Sequence, residues 1–297
     1  MSRAQTVIVD LEHNFIRDMD VAALLVDGAR SLVRADLSDP LRAADGGASV
    51  GVLASLFDVG ASDPALAACR PDWTATQNLS VHGSGPLTEG PIVVDSRLVR
   101  VGKKVVVVAA DIYDAHGITD FEAFMAAIES AGTTSEIRPS LAATGLLAFA
   151  RLPGGAAAHE HAYDPAAWVG QVRHSPPPNA PTGPLDQRLG LEVLDAATGR
   201  LRLERTPYVA NSIGTINGGI QAVMAQRAAE AMRPGLVAAD LQVHYLAQVS
   251  AGPAVTSGRI VRDARDHSVV SVELADAGND NKLLTLATVT LRSIQGS

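Results

Sequence analysis

The segment Asn78-Leu79-Ser80-Val81-His82 is written a second time as Asp240-Leu241-Gln242-Val243-His244, at an offset of 162 (241 − 79). The same offset pairs Gly90-Pro91 with Gly252-Pro253 and Val99-Arg100 with Val261-Arg262. One spacing held over about thirty positions implies two copies of one structural unit, which chance similarity would not keep in register. The length of 297 residues suits roughly two domains. A second offset, 142 (283 − 141), sets Ser140–Leu152 beside Lys282–Ile294, so the first copy carries a 20-residue insertion (162 − 142). It falls at about 119–138, where Phe121, Phe124, Met125 and Ile128 have helical spacing.

Between the copies, Gly154-Gly155, an alanine run and Pro176-Pro177-Pro178 exclude a continuing helix or central strand. Residues 153–182 read as a linker between domains at 1–152 and 183–297. Each copy repeats one order of elements. An entry strand (Gly28–Leu37; Leu201–Val209) leads through a glycine-bearing turn to a helix that is apolar nearly all round (Gly51–Gly60; Gly218–Met232). Alternating strands follow: Thr74–His82, Ile92–Val101, Lys104–Tyr113 and Ser140–Leu152 in the first copy, and Val237–Leu246, Ala254–Arg262, Ser268–Asp276 and Lys282–Ile294 in the second. Short turns pair such strands antiparallel, and a helix without a polar face must be enclosed. The expected class is α+β, with a long antiparallel sheet around one buried helix in each copy.

A 47% hydrophobic content excludes a disordered or fibrous chain, and a net charge of −8 gives no general footprint for nucleic acid. The lone Cys69 excludes an intrachain disulfide framework and a cysteine-only zinc site. The N-terminus shows no charged-then-apolar leader, and no stretch runs eighteen apolar residues unbroken. The expectation is a soluble cytoplasmic protein without a membrane or nucleic-acid partner. Gly83-Ser84-Gly85-Pro86 lacks the third glycine and the following helix of a dinucleotide site. His159-Glu160-His161 could ligate a metal only on a fixed framework, which a linker does not offer. Neither a cofactor nor a metal is expected.

Asp58 follows Leu53, Ala54, Leu56 and Phe57 in the first apolar helix. An ionised carboxylate there costs several kcal/mol unless it is paired, hydrated or neutralised. Asp63-Pro64, just beyond, suits the start of a following helical turn. In the second copy, Gly218 and Gly219 open the helix, where unshielded first-turn N–H groups and the helix dipole favour a developing negative charge.

Asn211-Ser212-Ile213-Gly214-Thr215-Ile216-Asn217-Gly218-Gly219 with its apolar helix resembles the hotdog acyl-CoA thioesterases of the phenylacetyl-CoA and hydroxybenzoyl-CoA type, and Gly51–Asp58 resembles their catalytic helix. The resemblance covers most of the chain outside the linker, the insertion and the extreme N-terminus. It implies two tandem hotdog domains arranged as a pseudo-dimer, a covalent form of the family's dimer. It further implies Asp58 as the catalytic acid, Thr76 as the hydroxyl that orients water, and Asn211, Asn217 and Gly218 around the thioester carbonyl, with Gly219 binding substrate. The family's histidine is replaced here by Asn217.

The family sets the acid of one subunit against the helix head of the other, so the two copies can be crossed. Asp58 aligns with Gln226, Thr76 with Ala238, Asn211 with Ala43, and Asn217-Gly218-Gly219 with Ser49-Val50-Gly51. One crossed site has every chemical type required and the other lacks acid, hydroxyl and amide together, so one working site per chain is expected. The implied activity is hydrolysis of an acyl-CoA thioester, coenzyme A being part of the substrate. Arg97, Arg100, Lys103 and Lys104, or Arg259, Arg262 and Arg265, are candidate anchors for its phosphates, or else charges guarding a sheet edge. The alternatives are a non-catalytic acyl-thioester-binding scaffold and an enoyl-CoA hydratase or dehydratase, although no Asp-x-Asn-Pro-x-His-like segment is present. Acyl chain, CoA or carrier-protein thioester, the role of Asp58 as base or nucleophile, and homo-oligomerisation stay open.

Overall fold

The computed structural model describes residues 5–9, 12–130, 138–153, 163–179 and 182–294. In chain order the elements are β1 Gln5–Ile8, α1 Phe15–Asp18, β2 Ala22–Leu25, β3 Arg30–Ala35, α2 Val50–Cys69, β4 Trp73–Gly83, β5 Ile92–Val101, β6 Val105–Asp114, α3 Phe121–Glu129, β7 Ser140–Leu152 and β8 Gln171–His174. Then come α4 Leu185–Leu189, β9 Glu192–Asp195, β10 Arg200–Leu203, α5 Gly218–Met232, β11 Leu236–Tyr245, β12 Ala254–Asp263, β13 His267–Asp276 and β14 Lys282–Ser293. The chain divides into two compact units. The first comprises Met1–Ser38, Leu56–Ala75 and Ser84–Ala180, and the second Asp39–Ser55, Thr76–Gly83 and Pro181–Ser297.

In the first unit the strands run β1-β8-β2-β3-β5-β6-β7, antiparallel except for β1 on β8. Burial alternates residue by residue along β6, as expected of a strand with one covered face. On β3, Ser31 and Val33 meet Gly60 of α2. Leu32 therefore points to the other face, where it joins Ala22, Leu24, Val93 and Ala115 under Phe121 and Phe124 of the insertion helix α3. Asp120 caps that helix by accepting from the Ala123 N–H at 2.9 Å.

Two features of this unit differ from the sequence reading. Helix α2 does not stop near Gly60 but continues through Pro64 to Cys69, so Asp63-Pro64 starts no new helix. The proline is tolerated because the Gly60 carbonyl it deprives of a donor receives one from Ser31 Oγ. By length and composition α2 could cross a membrane, yet 67% of its apolar window is buried inside the protein, as in a core helix. Secondly, part of the expected linker is folded: Gln171–His174 forms β8, hydrogen-bonded to β1 and β2. Arg173 pairs with Asp63 and Tyr163, and its guanidinium lies 5.5 Å from the Trp168 ring centroid. Burial pushes the Tyr163 hydroxyl far above its ordinary pKa. Residues 154–162, including His159-Glu160-His161, lie outside the described residues.

The second unit's sheet runs β4-β11-β14-β13-β12-β10-β9, antiparallel throughout, with α5 packed on β10 to β14. The entry strand β10 ends at Leu203, short of the expected Val209, because Pro207 begins a 3-10 turn. β4 and β11 pair with Asn78 opposite His244 and His82 opposite Asp240. The 162 offset turns each of these pairs into the other, which is the self-complementary register of a two-fold contact. His244 Nδ1 meets Asn78 Oδ1 at 2.7 Å, and its counterpart His82 Nδ1 lies 3.6 Å from Asp240 Oδ1.

The duplication extends to two buried carboxylates. Asp114 accepts the N–H groups of Thr88, Glu89, Gly90 and His116 at 2.8–3.2 Å, and Asp276, 162 residues on (276 − 114), accepts those of Ser250, Ala251 and Gly252 at 2.7–3.0 Å. Burial alone would raise both pKa values. The converging N–H donors outweigh it and hold both below the ordinary carboxylate range.

Candidate functional site

The loop before α5 is built by its own polar side chains. Asn211 Oδ1 accepts from the N–H groups of Ile213 and Thr215 at 3.1 and 3.2 Å, while Gly214, at φ 74°, donates its N–H to Asn211 O at 2.9 Å. This is an Asx-type turn with glycine in the left-handed position. With its carbonyl oxygen so used, the Asn211 side chain offers a ligand its NH2 group. Thr215 Oγ1 bonds Val249 N and O at 2.9 and 3.2 Å, and the Asn217 N–H reaches Val209 O at 2.9 Å, fixing where the helix begins.

Asn217 is the N-cap of α5, and its Oδ1 accepts the Gly219 N–H at 2.8 Å. The Gly219 N–H, expected to bind substrate, here donates to the cap side chain. Its missing side chain has a separate use. A Cβ on Gly219 would fall 2.3–2.7 Å from Ser55 Oγ, Cβ and Cα, and one on Gly51 would fall 2.8 Å from Val223 Cα. Glycine at both points lets the two helices cross. Gly219→Ala is expected to lower stability by about 1–3 kcal/mol through overpacking. A urea midpoint equal to that of the unaltered chain would contradict this.

Gly218 stands one position earlier, where no carbonyl of its own helix can reach its N–H. Its own carbonyl accepts from Tyr245 Oη at 2.8 Å, and Gln221 Nε2 donates to Ile216 O at 3.1 Å, so side-chain hydrogen bonds tie down both flanks of the helix head. An N–H at the positive end of the helix dipole can stabilise a carbonyl oxygen that gains negative charge.

The equivalent head of α2, also in the second unit, is arranged differently. Gln226 is 0% exposed and aligns with Asp58 at the helices' offset of 168 (226 − 58). Its Oε1 accepts from Ser49 Oγ at 2.6 Å and from the Gly51 N–H at 2.8 Å, and its Nε2 donates to Glu230 Oε1 at 2.8 Å. A side-chain amide carbonyl of the protein thus occupies the Ser49 hydroxyl and the Gly51 N–H at this helix head. Asp45 in the same loop pairs with Arg292 at 2.7 Å.

Thr76, Asn211, Asn217, Gly218 and Gly219 belong to the second unit, and Asp58 to the first. Asp58 is half-buried on α2, where Ser62 Oγ donates to its backbone carbonyl at 2.6 Å. Thr76 is half-buried on β4. Of the expected phosphate anchors, Arg97 is engaged by Asp95 Oδ2 at 2.7 Å, and this bond raises its pKa. Arg100, Lys103, Lys104, Arg259, Arg262 and Arg265 are exposed.

Two family models match the chain in tandem: the thioesterase superfamily over residues 46–120 and the acyl-CoA thioesterase N-terminal domain over residues 206–292. The chain belongs to the hotdog thioesterase superfamily. Its two hotdog domains are each an antiparallel sheet with a central helix, in the α+β class. No curated protein matches it. Among solved structures it is similar to a Thermobifida fusca protein named for thioesterase II, with 15% identity, a TM-score of 0.56 and 96% and 99% of the two chains covered. A Lactobacillus plantarum protein named for oleoyl thioesterase gives 10%, 0.58, 92% and 100%. An Alicyclobacillus acidocaldarius hotdog-fold protein of unknown function gives 13%, 0.56, 97% and 100%. At such identities the likeness is one of fold.

The sequence reading of these hotdog domains missed the cap bond that consumes the Gly219 amide and the closure of the α2 head by Gln226. The second had a signal. A glutamine in a wholly apolar helix stretch, Ala222-Val223-Met224-Ala225-Gln226, needs buried partners, and Ser49 is a polar residue at the other helix head.

Proposed function

We propose that this hotdog chain is an acyl-CoA thioesterase with one working site, formed by Asp58 and Thr76 of the first copy with Asn211, Asn217 and Gly218 of the second. The observation that carries the reading is the Gln226 contact. It places an oxygen-bearing side chain, at the position equivalent to Asp58, on the head of the opposing helix. The duplication extends the same reading to Asp58 at the head of α5, where Asn217 and Gly219 stand in the places of Ser49 and Gly51. Where the acid has become an amide, its carbonyl already takes the Ser49 hydroxyl and the Gly51 N–H of that helix head.

In the working site the thioester carbonyl oxygen accepts hydrogen bonds from the Gly218 N–H and the Asn211 NH2. Asn217 caps the helix and keeps Gly218 at its head. Asp58 takes a proton from a water held by Thr76 as that water adds to the carbonyl carbon. The tetrahedral intermediate then collapses, breaking the C–S bond, and the proton passes to the leaving thiolate. Direct attack by Asp58, giving an anhydride that water then opens, uses the same residues. Isothermal titration with a non-hydrolysable acyl-CoA thioether is expected to show one ligand per chain. Two equivalent ligands per chain would contradict the closure by Gln226. Gln226→Ala is expected to keep most of the hydrolytic activity, because it alters the closed helix head and not the working one.

A further inference from the structure

Proline at position 64 has no N–H for the carbonyl of Gly60, and its ring pushes that carbonyl off the helix axis. Ser31 Oγ on β3, in a residue only 3% exposed, donates to the deprived oxygen. Gly60 is pressed against the sheet: a Cβ there would meet Ser96 Oγ at 3.1 Å and Val33 Cγ2 at 3.2 Å. Ser62 Oγ donates back to Asp58 O at 2.6 Å, a side-chain bond of the type that bends helices. The turn that carries Asp58 is therefore held by two hydroxyls, of Ser31 at the carbonyl where the ladder is interrupted and of Ser62 at Asp58 O.

The other copy has none of this. At the helices' offset of 168, Pro64 becomes Met232, Gly60 becomes Ala228 and Ser31 becomes Gly199, while Ser96 becomes Gly258 at 162. The geometry confirms the equivalence, since a Cβ on Gly199 would lie 3.1 Å from Ala228 O and 2.8 Å from Met232 Sδ. A Cβ on Gly258 would lie 2.2 Å from the same sulfur. The Met232 side chain fills the space that the two serines take in the first copy, and its backbone keeps the N–H that proline lacks. The proline and the hydroxyls occur together in the copy whose helix carries Asp58. The methionine and the two glycines that face it occur together in the copy whose helix carries Gln226.

We infer that Ser31 is a positioning residue for Asp58: by holding the Gly60 carbonyl that Pro64 displaces, it sets the bend of α2 and so the direction of the carboxylate two residues earlier. The inference rests on the proposed role of Asp58. It predicts that Ser31→Ala lowers kcat about tenfold, with KM changed less than about twofold, because a small displacement of a catalytic group is costly in rate. It also predicts rescue. In the double variant Ser31→Ala, Pro64→Ala, residue 64 regains an N–H for Gly60 O, and kcat returns to within about threefold of the unaltered chain. A serine that merely packs would not be rescued from a residue on another element. A double variant as slow as Ser31→Ala, or unable to fold, overturns the inference, as does an unchanged kcat in Ser31→Ala. Asp58→Asn is assayed alongside. Full turnover there removes the catalytic reading itself, whereas an inactive Asp58→Asn beside an unaffected Ser31→Ala removes only the role of Ser31.

Discussion

Asp58→Asn is expected to lower kcat for acyl-CoA hydrolysis by about a thousandfold, within the usual span for loss of a general base. Asparagine keeps the volume and planarity of the side chain, so helix α2 and its packing against β3 should be undisturbed. It cannot accept a proton from water near neutral pH and is a poor nucleophile toward a thioester. Both routes written for Asp58 therefore fail together. In the proposed site the thioester oxygen is held by Gly218 and Asn211, so KM should move by no more than a few-fold, the pattern of an interaction made only in the transition state. Thiol release under saturating substrate gives kcat directly. A reduction of less than about tenfold would remove Asp58 from the chemistry.

The largest effect on stability is expected at Asp276 and its duplicate Asp114. Asp276 is 0% exposed, and three successive backbone N–H groups, of Ser250, Ala251 and Gly252, converge on its carboxylate. Asp276→Ala strands those donors, and with partial rehydration of the loop the cost is on the order of 3 kcal/mol. The sign of the pH dependence follows from the lowered pKa. Both carboxyls titrate below their ordinary value of 3.8 in the folded chain, so their contribution is complete above that value. It is lost as pH falls through the lower folded values and protonation removes the charge that holds the N–H groups. Acid unfolding below about pH 4 should therefore be less steep in Asp276→Asn, which keeps an acceptor oxygen but no titrating group. Urea midpoints measured from pH 7 to pH 2 check both statements. An Asp276→Ala midpoint within experimental error of the unaltered chain would contradict the first, and an identical acid limb the second.

The duplication was legible because β4, β11 and the Gly-Pro turns keep side chains whose spacing survives divergence. The long strands were legible because one-sided burial imposes a period of two, as along β6. Four-residue strands such as β8 and β9 have too few alternations to register, and β8 is further masked by the prolines that follow it. Helix α2 outran its expected end because the donor that replaces the proline N–H, Ser31, lies on another element. No local pattern contains it. At the site, the residue types at the α5 head were readable, but which N–H each glycine spends was not. Gly219 and Gly218 look alike in sequence, and only the Asn217 cap and the approach of Ser55 separate their roles.

The central claim, the proposed hydrolysis of an acyl-CoA thioester by Asp58, is tested most directly by following free thiol from a panel of acyl-CoA substrates. The intact chain and Asp58→Asn are assayed side by side. The expected result is catalytic thiol release by the intact chain on at least one substrate, nearly abolished in Asp58→Asn while that variant still binds the non-hydrolysable thioether. Thiol release at equal rates by both, or by neither on any substrate, would contradict it.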